Sequence, residues 1–285
     1  MKARELLELF KNSKLKAKEV LEVKLLNEEI ESIGYKAFVD LAQLFFMKML
    51  SPIYEDKKTI LRFYKLDRDS SFHKIQNSTE KYGTDSEFFS IDKTQQFSFL
   101  YHYQEALKFI NIKDKKRVLN LGVNRGDEFK VIKEMLEVDE FKEKQFAGID
   151  NCASAIEYAK NDFDDKNVEF FNHDINTLDE LDLGRFDLII SIGTLQSSGI
   201  NFNSTFMSIY QNHLKKDGAI ILGFPNCRWI DGEMIYGAKA PNYAFNEMSL
   251  VLKDIHFCKK YLQQKKHRVV ITGKDYIFLT ARKIT

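Results

Sequence analysis

Three apolar runs in this sequence end in residues suited to hold a nucleotide-like ligand. The first is Leu119-Asn120-Leu121-Gly122-Val123-Asn124-Arg125-Gly126, which breaks from branched residues into glycine. Glycine permits a tight turn and lets a ligand approach the main chain closely. A helix that follows such a turn directs its free N–H groups and partial positive charge at whatever sits there. The second run, Phe146-Ala147-Gly148-Ile149-Asp150, ends in a carboxylate able to accept two ribose hydroxyls. The third region, Phe171-Asn172-His173-Asp174, ends in an acid that could meet the edge of a base. Gly122 and Gly126 alone admit several nucleotides. Three such endings in succession point to one cofactor site.

Candidates for proton transfer are less marked. His173, Glu233 and His256 have the right chemistry, and nothing in the spacing singles one out. The three cysteines, Cys152, Cys227 and Cys258, are odd in number and far apart, so they suggest neither a disulfide framework nor a metal site. Cys227 reads as an ordinary buried thiol.

The elements that position these groups follow from periodicity. Arg117–Gly122, Gln145–Ile149, Val168–Phe171, Phe186–Ile192 and Ala219–Gly223 are short, branched and apolar, as buried strands are. Glu128–Val138, Ala153–Asn161 and Phe202–Leu214 have helical spacing between them. Strands alternating with helices give a parallel sheet with helices on both faces. After a helix at Leu250–Lys265, two further strands flank Gly273-Lys274-Asp275, a hairpin turn, so the sheet closes antiparallel. Residues 1 to about 50 read as helices, with Val20, Leu21, Leu25 and Ile30 on one and an apolar face from Phe38 to Met49 ended by Ser51-Pro52 on another. Thr59–Leu66 alternates as a strand, Asp67–Gln96 is irregular and polar, and Phe97–Ile110 is a helix.

The expected fold is therefore α/β: a doubly wound, mostly parallel seven-stranded sheet with a C-terminal antiparallel hairpin, preceded by a mainly helical N-terminal extension. The expected division is residues 1–96 as extension and cap and 97–285 as the α/β domain.

This order of strand, glycine turn, two acid-ended strands, Phe186-Asp187-Leu188-Ile189-Ile190-Ser191 and closing hairpin resembles the class I S-adenosylmethionine-dependent methyltransferases, over about Lys116 to Lys283. The resemblance implies S-adenosylmethionine as cofactor and S-adenosylhomocysteine as product. It implies that Asn120, Gly122, Asn124, Gly126, Asp150, Asp174 and Ser191 line the cofactor site. The family's first motif usually reads acid-x-Gly-x-Gly-x-Gly. Here Asn120 stands for the acid that would meet the cofactor's ammonium, and Asn124 stands for the middle glycine, asparagine being among the residues most tolerant of positive φ. The Gly122-x-Asn124-x-Gly126 spacing does not match the dinucleotide fingerprint. Ser191-Ile192-Gly193-Thr194-Leu195-Gln196, where the family presents its acceptor, lacks the Asn/Asp-Pro-Pro-aromatic signature of amino-group methylation.

Two segments are candidates for covering the acceptor. Pro225–Asn246 carries Trp229, Glu233 and Tyr236, and the irregular stretch before the domain carries His73 and Tyr82. Trp229, Tyr236, His73 and Tyr82 are the candidate substrate residues. A net charge of +1 excludes a global pull towards nucleic acid or anionic lipid. Lys253–Lys274 holds seven Lys or Arg against one Asp, the single basic cluster. The expectation is a small-molecule acceptor, with an RNA acceptor such as tRNA, or a non-catalytic binding protein of the same fold, as alternatives. The charged N-terminus does not read as a signal peptide, and Asp40 and Lys48 interrupt the Ala37–Leu50 apolar stretch. With the cysteine usage this gives a cytoplasmic protein without a membrane span, whose apolar N-terminal face could pack on a second subunit.

Overall fold

The computed structural model describes residues 2–70, 79–237 and 248–284. The chain forms two compact units, one of residues 1–75 with Arg228–Tyr236, the other of Gln76–Cys227 with Gly237–Thr285.

The first unit is mixed. Its helices are α1 (Ala3–Asn12), α2 (Asn27–Ile33) and α3 (Tyr35–Leu44), and its strands β1 (Val20–Leu26), β2 (Met47–Tyr54) and β3 (Lys58–Lys65) form an antiparallel sheet in the order β1-β3-β2. The helix expected through Val20 to Ile30 is a strand as far as Leu26. Leu21, Val23 and Leu25 alternate with Glu22 and Lys24, and only Val23 and Leu25 among the strand residues are buried. Ser51-Pro52 lies inside β2, at a register irregularity between Leu50 and Ile53, where a residue without an N–H is tolerated. Leu6 and Phe10 of α1 close over Val23, Leu25, Leu61 and Phe63, with Phe38 and Ala42 of α3 in the same core.

The second unit carries the expected doubly wound sheet. Its strands are β4 (Arg117–Leu121), β5 (Gln145–Asp150), β6 (Val168–Asn172), β7 (Phe186–Ile192), β8 (Leu214–Pro225), β11 (His267–Gly273) and β12 (Tyr276–Lys283); β9 (Cys227–Ile230) and β10 (Glu233–Tyr236) form a separate hairpin that, from Arg228 on, belongs to the first unit. The sheet order is β11-β12-β8-β7-β4-β5-β6. β4 to β8 run parallel, and β12 pairs antiparallel with both β8 and β11. The central strands are buried on both sides, which is why they read as unbroken apolar runs.

Helices α4 (Phe97–Phe109), α5 (Asp127–Met135), α6 (Val138–Lys142), α7 (Ala153–Asp162), α8 (Phe202–Ser208) and α9 (Ser249–Gln264) cover the sheet. Phe206 of α8 and Val251, Ile255, Cys258 and Leu262 of α9 join Leu119, Leu121, Ile189, Ile220 and Leu222 in one core. Phe99 and Tyr103 of α4 pack on Phe278, and Phe129 of α5 on Phe146. From β4 the chain winds out through β5 to β6, then returns to β7 on the other side of β4. That reversal makes the carboxyl end of β4 the topological switch point, the place where open α/β sheets bind ligands.

Phe129 is fully buried, with its ring 5.1 Å from Phe146 and 6.1 Å from Phe170. Truncation to alanine there should cost about 3–5 kcal/mol. Urea unfolding of Phe129→Ala checks this, read as a lower midpoint at unchanged slope.

Candidate functional site

The turn after β4 is built by positive backbone angles. Gly122, Asn124 and Gly126 have φ of +76°, +45° and +83°. Space as well as conformation demands glycine at the two outer positions. A Cβ on Gly122 would lie 1.9 Å from the Thr194 hydroxyl oxygen, and one on Gly126 would lie 2.7 Å from the Phe163 ring. The Gly122 and Val123 N–H groups both donate to the Ile149 carbonyl, at 2.8 and 3.0 Å, so the turn is tied to the end of β5.

Asp150 completes that tie. Its side chain is almost wholly buried, and it accepts from the Asn124 N–H at 2.9 Å on one oxygen and from the Cys152 N–H at 3.0 Å on the other. Burial pushes its pKa up, opposed by these backbone donors and by the charge of Lys93. A carboxylate has about four acceptor sites, and the backbone N–H groups of Cys152, Asn124 and Asn151 use three, so room is left for a further donor.

Asp174 caps the 3-10 turn Ile175–Leu181, accepting from the N–H and the side-chain amide of Asn176. It is exposed, at the end of β6 next to Asp150's strand. Ser191 is buried and donates to the Leu121 carbonyl at 3.3 Å, joining β7 to the end of β4. His173 is engaged, its Nε2 lying 2.9 Å from the Thr177 carbonyl and 3.0 Å from the Thr177 hydroxyl. His256 stands exposed on α9.

Glu233, Trp229 and Tyr236 belong to the first unit. Trp229 is buried there with its indole N–H unpartnered, Glu233 is part-buried with a pKa raised by burial, and Tyr236 is exposed at the end of β10. His73 lies outside the described residues.

Tyr82 does come to the turn. The Asn124 side-chain amide donates to its carbonyl at 2.9 Å. Burial, then the negative charge of Asp150, raises the pKa of its phenol. It is one of several contacts fixing the irregular stretch before α4. Glu80 accepts from the Ser154 hydroxyl, from the Ala153 N–H at 3.1 Å and from the Cys152 thiol at 3.4 Å, at the start of α7. Arg125 donates to both oxygens of Asp127 at 2.9 Å and to the Phe89 carbonyl at 3.2 Å, and pairs with Asp92 at 3.3 Å. Lys93 pairs with Glu128 in the first turn of α5. This stretch therefore belongs with the α/β unit, and the compact units part near residue 75 rather than at the expected 96.

Sequence reasoning did not find Glu80, Lys93, Arg125 or Glu128. The usable signal was Asn120, an amide inside an apolar strand that needs a buried partner, and Asp127-Glu128 at the head of the next helix.

A doubly wound sheet with a glycine turn and a strand-end carboxylate at its switch point defines a cofactor-binding α/β enzyme fold. Residues 112–270, more than half of the chain, match the family model described as "Methyltransferase domain". The chain belongs to that family, with the class I, Rossmann-like fold of the S-adenosylmethionine-dependent methyltransferases. S-adenosylmethionine is the cofactor of that family.

Among solved structures, the methyltransferase domain of bacterial CtHen1-CN matches with a TM-score of 0.48 and 16% identity, over 66% of this chain and 98% of that one. The plantazolicin methyltransferase BpumL gives 0.47 and 12%, over 72% and 94%. A SAM-dependent methyltransferase from Aquifex aeolicus gives 0.45 and 16%, over 68% and 94%. These likenesses concern the fold alone. No curated protein matches the sequence.

The residues fit such a cofactor. Asp150 retains acceptor capacity for a hydroxyl, and the Asn120 carbonyl oxygen is buried with no donor. Among the described residues no cluster of His, Cys, Asp and Glu could hold a metal ion, and no helix is long and apolar enough to cross a membrane.

The Glu80 contact has a calculable pH dependence. Its pKa is lowered, first by the Ser154 hydroxyl. A lowered acid stabilises the folded contact above its unfolded pKa, and the contact is lost as pH falls through the folded value. Hydrogen-exchange protection of residues 79–92 should hold at neutral pH and drop below the ordinary glutamate range of about 4.3. Glu80→Gln should lower it at neutral pH too. Asn124→Gly keeps the positive φ but loses the tie to Tyr82, so it should reduce protection in that stretch without loosening α5.

Proposed function

We propose that this chain transfers a methyl group from S-adenosylmethionine to a small-molecule acceptor. The observation that carries the reading is Asp150, buried at the switch point, bonded to the glycine turn and still able to accept from a hydroxyl. In this reading Asp150 receives the ribose, Asp174 lies towards the base, and the Gly122–Gly126 turn with the head of α5 takes the rest of the cofactor. The cofactor supplies a methyl group made electrophilic by its sulfonium. The protein's contribution is alignment and exclusion of water, which such a transfer chiefly needs. No side-chain base is invoked, since His173 is committed to Thr177.

Two features favour a small acceptor over RNA. Around the turn, Glu80, Asp92, Asp127, Glu128 and Asp150 outnumber Lys93, Arg125 and Lys130, a local field that disfavours phosphate. Of the basic cluster, Lys274 lies at the carboxyl edge of β8, but Lys265, Lys266 and Arg268 sit at the start of β11, whose far end is level with that edge. At about 3.3 Å per residue they stand roughly 20 Å from that edge.

Calorimetric titration with S-adenosylmethionine and S-adenosylhomocysteine tests the reading, and no heat with either would sink it. Asp150→Ala should weaken binding about 10- to 100-fold, the value of a charge-assisted hydrogen bond. With methyl-labelled cofactor and a cell extract, label should enter the small-molecule fraction. Label confined to RNA would reverse the acceptor class, and binding without turnover would leave a binding protein of this fold.

A further inference from the structure

Beneath the turn lies a group of charges that the alignment described above does not use. Glu128, in the first turn of α5, is 2% exposed. One of its carboxylate oxygens pairs with the Lys93 ammonium, and the other accepts from the Asn120 side-chain amide at 3.1 Å. The remaining polar atom of Asn120, its carbonyl oxygen, is buried without a hydrogen-bond partner. Lys93 approaches from the stretch before α4, and its side chain is 17% exposed. Burial opposes its charged form, but Glu128 and Asp127 together hold its pKa above the usual lysine value. Its charge also reaches Asp150, so the ammonium lies within electrostatic range of the acid at the end of β5 as well as those at the head of α5.

As a device for stability this arrangement is poor. A buried ion pair often does no better than apolar residues of the same volume, and an unmade hydrogen bond on a buried oxygen is a cost. As a receptor it is well matched to one chemistry. A carboxylate and a free carbonyl oxygen side by side accept an ammonium, and a lysine beside them accepts a carboxylate.

We propose that Glu128, Asn120 and Lys93 form the subsite for a zwitterionic α-amino acid group, the amino-acid end of the cofactor. This rests on the reading that the chain binds S-adenosylmethionine. Glu128 and the Asn120 carbonyl receive the ammonium, and Lys93, released from Glu128, takes the carboxylate. One ammonium replaces another on Glu128, and Lys93 exchanges one carboxylate for another. No buried ion is left unpaired, and the orphaned Asn120 oxygen gains a donor. The chain thus keeps an acid under the turn although position 120 holds an amide, by bringing it from the head of the following helix.

Calorimetry on the full chain separates this subsite from the rest of the pocket. The probes are S-adenosylhomocysteine, its analogue lacking the amino group, decarboxylated S-adenosylmethionine and 5′-methylthioadenosine, which lacks the whole amino-acid end. The wild type should prefer S-adenosylhomocysteine to methylthioadenosine by about 100-fold or more, as charge-assisted hydrogen bonds allow. Glu128→Gln should weaken S-adenosylhomocysteine about tenfold or more and leave methylthioadenosine and the desamino analogue nearly unchanged. Lys93→Met should weaken S-adenosylhomocysteine but not the decarboxylated ligand. Adding Asn120→Asp to Glu128→Gln should recover much of the lost affinity.

Equal losses for S-adenosylhomocysteine and methylthioadenosine would make the pair a brace and overturn the proposal. So would a wild type that binds the two equally, which would leave the cofactor reading standing. A wild type that binds neither overturns the cofactor reading itself. If Glu128→Gln fails to fold because Lys93 is left buried and unpaired, Lys93→Met/Glu128→Gln removes both charges. It should fold and lose the preference for S-adenosylhomocysteine, and retention of that preference would overturn the proposal.

Discussion

A buried carboxylate survives only where donors surround it, and at Asp150 those donors are main-chain N–H groups from the turn after β4 and the approach to α7. To present its N–H there, Asn124 takes a left-handed angle, and the flanking glycines take theirs to return the chain into α5. The carboxylate thus fixes the geometry of the turn, and the turn aims α5. The same demand accounts for the departure from the usual motif. Asparagine adopts positive φ at modest cost, and its side chain gains a contact, to the Tyr82 carbonyl, that glycine cannot make.

The stretch between Glu80 and Gln96 then reads as part of the site. It has little regular structure, and its order comes from side chains bonded to main chain and to charges of α5 and α7. Most of these anchor points lie in the first turns of the two helices, where unpaired N–H groups and partial positive charge favour carboxylates.

How far the sequence spoke depended on the range of the interactions. β4, β5, β7 and β8 were legible because burial on both faces leaves an unbroken apolar run. Gly122, Asn124 and Gly126 were legible as a turn, and Asp150 as a strand end, because the conformations that glycine and asparagine permit are local. β1 was misread because Val20, Leu21, Leu25 and Ile30 also fit a helical face, while the alternation of Glu22 and Lys24 between Leu21, Val23 and Leu25 decided for a strand once β3 was there to pair with. Lys93 with Glu128, and Glu80 with Ser154, are encounters between distant parts of the chain, and no spacing announces them. The hairpin of β9 and β10 was anticipated only as a long connection.

That hairpin constrains how the protein is made. Ile230 and Ile235 complete a small core with Leu66, against which Phe46 and Tyr64 pack, and the Met234 carbonyl accepts from Gln43. The first unit is therefore finished by residues encoded after most of the second, and the chain passes between the units after Ile75, after Cys227 and after Tyr236. During synthesis the leading residues must wait, with part of their apolar surface uncovered, until β9 and β10 have emerged. A gene cut at the first crossing would yield two incomplete pieces, so the two units are inherited, expressed and lost together.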